Sequence, residues 1–222
     1  MTSDGPDASV APDGSALRHR RRRLEIAATV LLSAATVLTA WSAFQSTKWS
    51  GVQAIRFSQA SASRTESVRA STTAGQQTIA DLTVFTAWLT ATDEGQTHLA
   101  GLLAARFRGE FKVAFRAWEH TSPLTNPSAP ATPFAMAGYE LANARHATQL
   151  EAVAATQFNQ ATEANQRADN YILMTVLFAL VLFFGAVSTR FDALSLQITL
   201  LAVGAAVFLT AAVITATFPV EF

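Results

Sequence analysis

The sequence of 222 residues contains no cysteine, and only 14% of its residues are charged. The absence of cysteine excludes disulfide bonds, thiolate metal sites and cysteine nucleophiles. Ordinary soluble domains carry roughly 25% charged residues, so the low charge content argues against a simple soluble fold. Acidic and basic residues balance at 16 each. Because nucleic-acid binding needs a concentrated basic surface, we expect no nucleic-acid partner.

Motifs of catalysis and of cofactor binding are missing as well. No HExxH, Walker, GxGxxG or GxSxG pattern occurs. His98 and His120 fall near opposite ends of one predicted helix, about 33 Å apart, so they cannot share a metal ion. We therefore predict no catalytic residue, no cofactor and no metal site, and we do not expect an enzyme.

What the sequence does contain is three long apolar runs, which begin at residues 24, 171 and 194. Glu25, at the edge of the first run, is the only charged residue in them. At a rise of 1.5 Å per residue, each run is long enough to cross a hydrocarbon layer of roughly 30 Å as a helix. The lipid bilayer is thus the first expected partner. The predicted transmembrane helices are 24–45, 171–189 and 194–218, with a turn at 190–193.

A cluster of arginines, Arg18 and those at 20–23, precedes the first run. By the positive-inside rule this cluster lies in the cytoplasm, so residues 1–23 form a cytoplasmic tail. The tail is rich in Ser, Asp, Gly and Pro, and we expect it to be disordered. Residues 46–170 then lie outside the cytoplasm, the turn with Arg190 lies inside, and the C-terminus lies outside.

The first run could instead be a cleaved signal peptide, but its apolar stretch of about 19 residues exceeds the usual 7–15. We therefore expect a retained membrane anchor. Arginine outnumbers lysine fourteen to two and alanine is abundant. This bias is typical of GC-rich genomes and indicates a bacterial source. Together with the three apolar runs, it predicts a multi-pass protein of a bacterial plasma (inner) membrane.

Small residues recur at helical spacing in two of the predicted spans, and small side chains let membrane helices approach closely. We expect these stripes to pack the helices of one chain together. The alternative is an oligomer with a polar-lined path, which is less favoured because the spans carry no charge in their interior. Asp192 is placed to cap the third span. The stripes are Thr29, Ser33, Thr36 and Ala40 in the first span, and Ala202, Ala206, Thr210, Ala212 and Ala216 in the third.

The region 46–170 lacks strand alternation and predicts a stalk of helices. Asp93 and Gln96 have the spacing of a capping box, which predicts a helix boundary between them. Four prolines between 121 and 136 predict a loop. The predicted helices are about 46–92, 94–119 and 138–170, and the last continues into the second span.

The lengths of these helices predict that the first and third stalk helices run antiparallel. In each contacting pair, the residue numbers of the two partners should add up to about 216. Glu151 lies on the contact seam, and Arg64 or Arg69 is its expected partner in a structural ion pair. On the third helix the seam is Ala147, Ala154, Phe158, Ala161, Asn165 and Ala168. On the first helix the facing residues are Trp49, Val52, Ile55, Ala62, Ser63 and Ala70.

The second stalk helix is strongly amphipathic. Arg108, Lys112 and Arg116 form a basic row at i, i+4 and i+8, which is typical of a solvated face and alternatively docks an acidic partner. The apolar face is Leu99, Leu103, Phe107, Phe111, Ala114, Phe115 and Trp118. Its expected partners near the end of the first helix are Ile79, Leu82, Phe85, Trp88 and Leu89.

Aromatic residues lie where the predicted spans meet the membrane surface. Trp41 and Trp49 flank the exit of the first span, and Tyr171 begins the second. Indole and phenol side chains favour this interface, because the ring is apolar and the polar atom stays wet. We therefore predict that Trp41, Trp49 and Tyr171 are membrane-interface anchors, with Lys48 and Arg167 reaching the same level.

Two segments carry a resemblance to known proteins: WSAFQSTKW at 41–49, and NQRADNY at 165–171 followed by TVLFA at 175–179. They resemble an uncharacterised bacterial family of three-span membrane proteins. The resemblance implies one N-terminal span, an extended helical insert and a C-terminal hairpin of two spans. That family has no established activity, so the resemblance implies no site.

The sequence therefore predicts an all-α membrane protein with three transmembrane helices and an extracytoplasmic antiparallel helical stalk. We expect a non-enzymatic protein-interaction or scaffold component of the cell envelope, with a protein partner or a second copy of itself. One alternative is a subunit of an oligomeric channel or transporter. Another is an extracytoplasmic sensor with a ligand pocket among Trp88, Phe107, Phe111 and Trp118.

Overall fold

A computed structural model describes residues 14–191 and 193–221, with side chains from residue 19 onward. Within these residues every regular element is helical. The expected cap Asp192 lies outside the described residues, as do residues 1–13 of the tail. The elements are α1 (Gly14–Asp93), α2 (Thr97–Ala105), α3 (Gly109–Glu119), a short 3-10 helix (Pro133–Ala135), α4 (Ala142–Ser188) and α5 (Leu194–Ala216).

Three of the helices, α1, α4 and α5, are long and apolar enough to cross a membrane. The prediction of an all-helical chain with three such helices is confirmed. In α1 and α4 the apolar segment is one part of a much longer helix, because no proline interrupts either element. The expected disorder of residues 14–23 is wrong, since α1 already begins at Gly14. Ala, Leu and Arg are good helix formers, and they extend the helix backward from its apolar segment.

The described chain divides into two compact units. One contains the residues up to Ala54 together with those from Ala161 onward, and it includes all of α5. The other is Ile55–Gln160, which includes α2, α3 and the proline-rich loop. The first is called the spanning unit below, and the second the insert unit.

In the spanning unit, the contacts between helices combine large apolar side chains with small residues at buried positions. Met174 and Phe178 of α4 pack with Ala211 of α5 in one buried cluster. Gly185 lies at a close approach to α1, because a Cβ atom there would lie 2.6 Å from Cδ2 of Leu32 and that side chain would have to move. The buried positions of α5 are Leu201, Gly204, Ala211 and Thr215.

The small-residue stripes do not pack the helices of this chain together, and that prediction is wrong. Thr29, Ser33 and Thr36 of α1 are exposed, and so are Ala202 and Ala206 of α5. On α5 the buried positions fall on a different face, and three of the four residues there are themselves small. The threonine hydroxyls donate to the carbonyl four residues earlier, so they face outward without an unsatisfied donor.

In the insert unit, α1 and α4 contact one another through small and polar side chains. Oγ of Ser67 donates to the carbonyl of Ala147 at 2.9 Å, and Ser63 bonds Gln157 at 3.1 Å. The expected ion pair of Glu151 with Arg64 is present at 3.8 Å. Both side chains are more than half exposed, so the pair adds only about 0–1 kcal/mol.

Two of the residues expected on the α1 seam, Ile55 and Ala62, are exposed instead. Ala60 and Ser67 take the buried positions, together with Ala70 and the expected Ala147 and Ala154 on α4. Phe158, expected on the α4 seam, is 42% exposed and contacts Phe57 edge to face.

The expected single helix at 94–119 is divided into α2 and α3. Arg108 has an extended backbone (φ −60°, ψ 152°) and precedes the first residue of α3. The capping box at Asp93 is not formed, because α1 includes Asp93 and Gln96 makes no side-chain cap. Gly95 makes the turn instead with φ +72°, a left-handed conformation that costs glycine little.

The proline-rich segment 121–136 contains only the short helix Pro133–Ala135. Helix α4 begins at Ala142 rather than near residue 138. A carboxylate oxygen of Glu110 accepts the N–H of Ala142 at 3.0 Å, so a side chain from α3 satisfies a donor at the start of α4.

Candidate functional site

The insert unit is held together by an aromatic cluster, which joins the end of α1 to α2, α3 and the proline-rich loop. Ring centroids lie 4.7–6.5 Å apart, mostly edge to face, and each such pair contributes about 0.5–1.5 kcal/mol beyond its buried area. Nε1 of Trp118 donates to the carbonyl of Pro130 at 2.7 Å and fixes the loop. The rings are Phe85, Trp88, Phe107, Phe111, Phe115 and Trp118, with Phe134 and Tyr139 packed against them.

Several residues expected in this core lie outside it. Ile79 and Leu82 of α1 are 66% and 49% exposed, and Leu89 and Leu99 are exposed as well. The face of α1 that contacts the cluster carries Phe85 and Trp88, as expected, and a residue that the sequence reading missed, Asp81.

Asp81 is buried and receives three hydrogen bonds. The guanidinium of Arg108 binds it in a fork, Nε to Oδ1 at 2.9 Å and Nη2 to Oδ2 at 3.0 Å. The hydroxyl of Tyr139 donates to Oδ2 at 3.0 Å. Glu110 lies 3.1 Å from the other side of Arg108. This polar network connects α1, the start of α3 and the segment before α4.

Arg108 is therefore a structural residue and does not belong to a solvated basic row. Its hydrogen bond to Asp81 raises the pKa of the guanidinium, against a smaller opposing effect of burial. Burial raises the pKa of Tyr139 above 10.0, and its hydrogen bond to Asp81 acts in the same direction. The two shifts have different causes: the Asp81 carboxylate stabilises the charged guanidinium of Arg108, whereas burial disfavours the charged form of Tyr139.

Lys112 and Arg116, the other two members of the predicted row, lie together on the rim of a surface groove of about 510 Å³. Arg116 is exposed, and Nζ of Lys112 reaches the carbonyl of Ala105 at 3.3 Å. Within the described part of the chain, no carboxylate lies within ion-pairing distance of either cation. The groove is lined by Trp88, Thr92, Thr97, Ala100, Gly101, Ala104, Ala105, Lys112, Phe115, Arg116 and Glu119.

This groove, called the Lys112–Arg116 groove below, combines an apolar floor with two positive charges and one negative charge. The floor is made of small residues from α2 together with Trp88 and Phe115. Phe107 and Phe111, expected to line a pocket, lie inside the packed aromatic cluster, with their rings 4.9 Å apart. The arrangement suits an acidic chain segment lying across the surface better than an enclosed small molecule.

A second polar cluster, in the spanning unit, involves two of the predicted membrane anchors. Nε1 of Trp49 and the hydroxyl of Tyr171 both donate to the carbonyl of Pro219 at 3.1 Å. The fully buried amide of Gln45 bonds both backbone groups of Glu221, at 3.1 and 2.9 Å. The guanidinium of Arg167 lies 4.6 Å from the ring centre of Trp49.

Trp49 and Tyr171 are therefore buried inside the chain, at 6% and 1% exposure, and do not point outward as anchors. Their polar atoms find a carbonyl acceptor within the protein, so neither needs interfacial water. Trp41 is 36% exposed, and its role as a membrane-interface anchor stays a prediction.

Among residues 14–191 and 193–221, no three His, Asp or Glu side chains come close enough to hold a metal ion. Comparison of the chain with protein-family models, with curated proteins and with solved structures finds no match. The family resemblance at 41–49 and 165–179 therefore stays an expectation.

Two buried polar side chains that organise these clusters could have been found from the sequence. Asp81 shares a helical face with Phe85 and Trp88, and an acid on an apolar face needs a partner. Gln45 comes directly after the first apolar run, and an amide side chain that is buried there needs hydrogen-bond partners. Tyr139 and Glu110 gave no such signal, because only the tertiary fold brings them to Arg108.

Proposed function

We propose that this chain is a multi-pass protein of a bacterial plasma membrane that acts by binding another protein outside the cytoplasm. In this proposal the arginines at 20–23 lie in the cytoplasm, and residues 46–170 form an extracytoplasmic antiparallel helical stalk. The positive-inside rule supports the orientation. The three apolar helices support the membrane location.

The Lys112–Arg116 groove is the observation that carries the proposal of a protein-binding role. Its two cations have no acidic partner among the described residues, whereas Arg108, only one turn away, is fully engaged by Asp81 and Glu110. A cation that stays unpaired on the rim of an apolar groove is available to a partner's carboxylate. The partner is therefore expected to present Asp or Glu residues beside small apolar side chains.

The polar groups of the insert unit favour binding over catalysis. Asp81, Arg108, Glu110 and Tyr139 bond to one another, and Glu110 also holds the start of α4. Such a network fixes the shape of the surface that carries the groove, and it leaves none of these groups aimed at a substrate. The role is that of a scaffold component of the cell envelope.

Photo-crosslinking in native membranes tests this proposal. A crosslinking amino acid at Thr97, on the groove, captures a partner in the unaltered protein. The double variant K112E/R116E is expected to reduce capture at least tenfold, because like charges then face the acidic partner. The matched control is R106E, since Arg106 is exposed but does not line the groove. Equal capture by K112E/R116E and by R106E would refute the proposed surface.

A subunit of an oligomeric channel or transporter is the second candidate. The exposed stripe of Thr29, Ser33 and Thr36 favours it, because the stripe is free to meet another copy. A single monomeric species after reconstitution in lipid nanodiscs would count against this candidate. The sensor is not favoured, since Phe107 and Phe111 of its expected pocket are buried in the aromatic cluster.

A further inference from the structure

A long apolar groove runs between α1 and α5 within the spanning unit. Its volume is about 650 Å³, and its walls present almost exclusively hydrocarbon. Helices α1 and α5 line it together over the part of each helix that is apolar enough to lie in a membrane. The lining residues are Leu24, Ala27, Val30, Leu31 and Ala34 of α1, and Ile198, Leu201, Ala202, Ala205, Phe208 and Leu209 of α5.

One end of the groove reaches the arginine segment. Leu24 and Ala27 line that end, and Arg20 and Arg23 lie one helical turn before them on the same face of α1. Both arginines are exposed. The other end of the groove, at Ala34 and Leu209, carries no charged residue. The site is thus apolar along its length and strongly positive at a single end.

We propose that this groove binds one anionic phospholipid, with an acyl chain between α1 and α5 and the phosphate on Arg20 and Arg23. A basic cluster next to a transmembrane helix attracts anionic headgroups at about 1 kcal/mol per arginine, which is about a fivefold gain in affinity for each. The guanidinium group also binds phosphate oxygens in a bidentate fork. The lipid belongs to the same leaflet as the arginine segment.

A lipid fits this groove better than a helix from a second copy of the chain. A second copy inserted in the same orientation would bring its own arginines at 20–23 to the same depth in the membrane. Like charges would then meet at the end of the groove, which disfavours the contact. An anionic headgroup has the opposite charge and neutralises the same residues. This inference does not depend on the partner proposed for the Lys112–Arg116 groove.

Native mass spectrometry of the full-length, delipidated protein tests the inference, with phosphatidylglycerol and phosphatidylcholine as probes. One phosphatidylglycerol is expected to bind in preference to phosphatidylcholine. The variant R20Q/R23Q is expected to weaken phosphatidylglycerol binding by roughly 25-fold and to remove the preference. Because both positions are exposed, this variant keeps the fold. R22Q is the charge control and is expected to have a smaller effect, since Arg22 lies off the groove-lining face.

A second pair of variants tests the groove itself. A205W fills the groove and is expected to abolish phosphatidylglycerol binding, whereas A206W places the same side chain on an exposed position outside it and leaves binding unchanged. Helical content measured by circular dichroism checks that both variants fold. Equal binding of the two lipids, or full binding by A205W, would overturn the proposal. So would efficient disulfide formation between two copies carrying A202C, because a second chain would then cover the groove.

Discussion

Asp81 lies on the same face of α1 as Phe85 and Trp88, at the i+4 and i+7 spacing, and its side chain is only 2% exposed. A buried carboxylate is tolerated only when its oxygens are paired. Arg108 and Tyr139 supply that pairing, and the extended backbone at Arg108 lets its guanidinium reach α1. The break in the helix predicted at 94–119 thus falls where Arg108 pairs with Asp81.

The variant D81A is expected to lower the free energy of unfolding by about 3 kcal/mol, because it removes the bidentate partner of the partly buried Arg108 and leaves only Glu110 beside it. Thermal unfolding followed by circular dichroism measures the loss. E66A is the control, since Glu66 pairs with Arg69 on an exposed surface and its removal costs less than about 1 kcal/mol. Similar losses of unfolding free energy in the two variants would show that the Arg108–Asp81 pair stabilises the protein no more than an exposed ion pair does.

Because of Tyr139, the stability of the insert unit is expected to change with pH in the alkaline range. Its pKa in the folded protein is raised above the ordinary 10.0, so the unfolded chain releases this proton first. The stabilisation is therefore fully present below pH 10 and is lost as the pH rises through the higher folded pKa. The unfolding temperature is expected to fall more between pH 9 and pH 11 in the unaltered protein than in Y139F. An identical pH profile for Y139F would contradict this assignment.

At the scale of elements, periodicity predicted which helices are amphipathic but not where two of them end. Arg108, Lys112 and Arg116 fall at regular helical spacing, yet Arg108 lies just before α3 and bonds Asp81, 27 residues earlier in the chain. Spacing along one helix carries no information on such a distant partner. The prediction that the small-residue stripes pack the helices together was wrong for a related reason. Helical spacing shows which residues share a face of a helix. Whether that face is buried depends on the neighbours that pack against it, as Leu32 of α1 packs against Gly185 of α4.

The turn between α1 and α2 depends on Gly95, whose φ is +72°. G95A is expected to destabilise the protein by about 1 kcal/mol, because a side chain disfavours the left-handed conformation. G75A provides a control of opposite sign, since Gly75 lies inside α1 in open space and alanine is the better helix former by roughly 0.5–1 kcal/mol. Chemical unfolding of both variants measures the difference. Equal effects would argue against a required left-handed turn.

Gln45 fastens the segment after α5 by bonding both backbone groups of Glu221. Q45L removes these bonds, so amide hydrogen exchange at Glu221 is expected to accelerate. T47V is the control, because the hydroxyl of Thr47 bonds only the carbonyl of Ala43 in its own helix. Unchanged exchange in Q45L would mean that Trp49 and Tyr171 hold the segment without Gln45.

At the scale of the whole molecule, the distribution of apolar residues along the sequence was enough to predict the three long apolar helices. The three apolar helices could be predicted because hydropathy acts along the chain and needs no knowledge of tertiary contacts. The Lys112–Arg116 groove could be predicted only in part. Two of its residues belong to a visible basic row, but the floor forms only when α2 packs beside Trp88 and Phe115.

The orientation of the chain in the membrane is the central claim, and single-cysteine labelling tests it most directly. With no native cysteine, S15C, S71C and S128C can be compared in intact cells with a reagent that does not cross membranes. Ser71 and Ser128 are exposed positions of the insert unit. The account predicts labelling of S71C and S128C from outside and none of S15C. Labelling of S15C alone would contradict it.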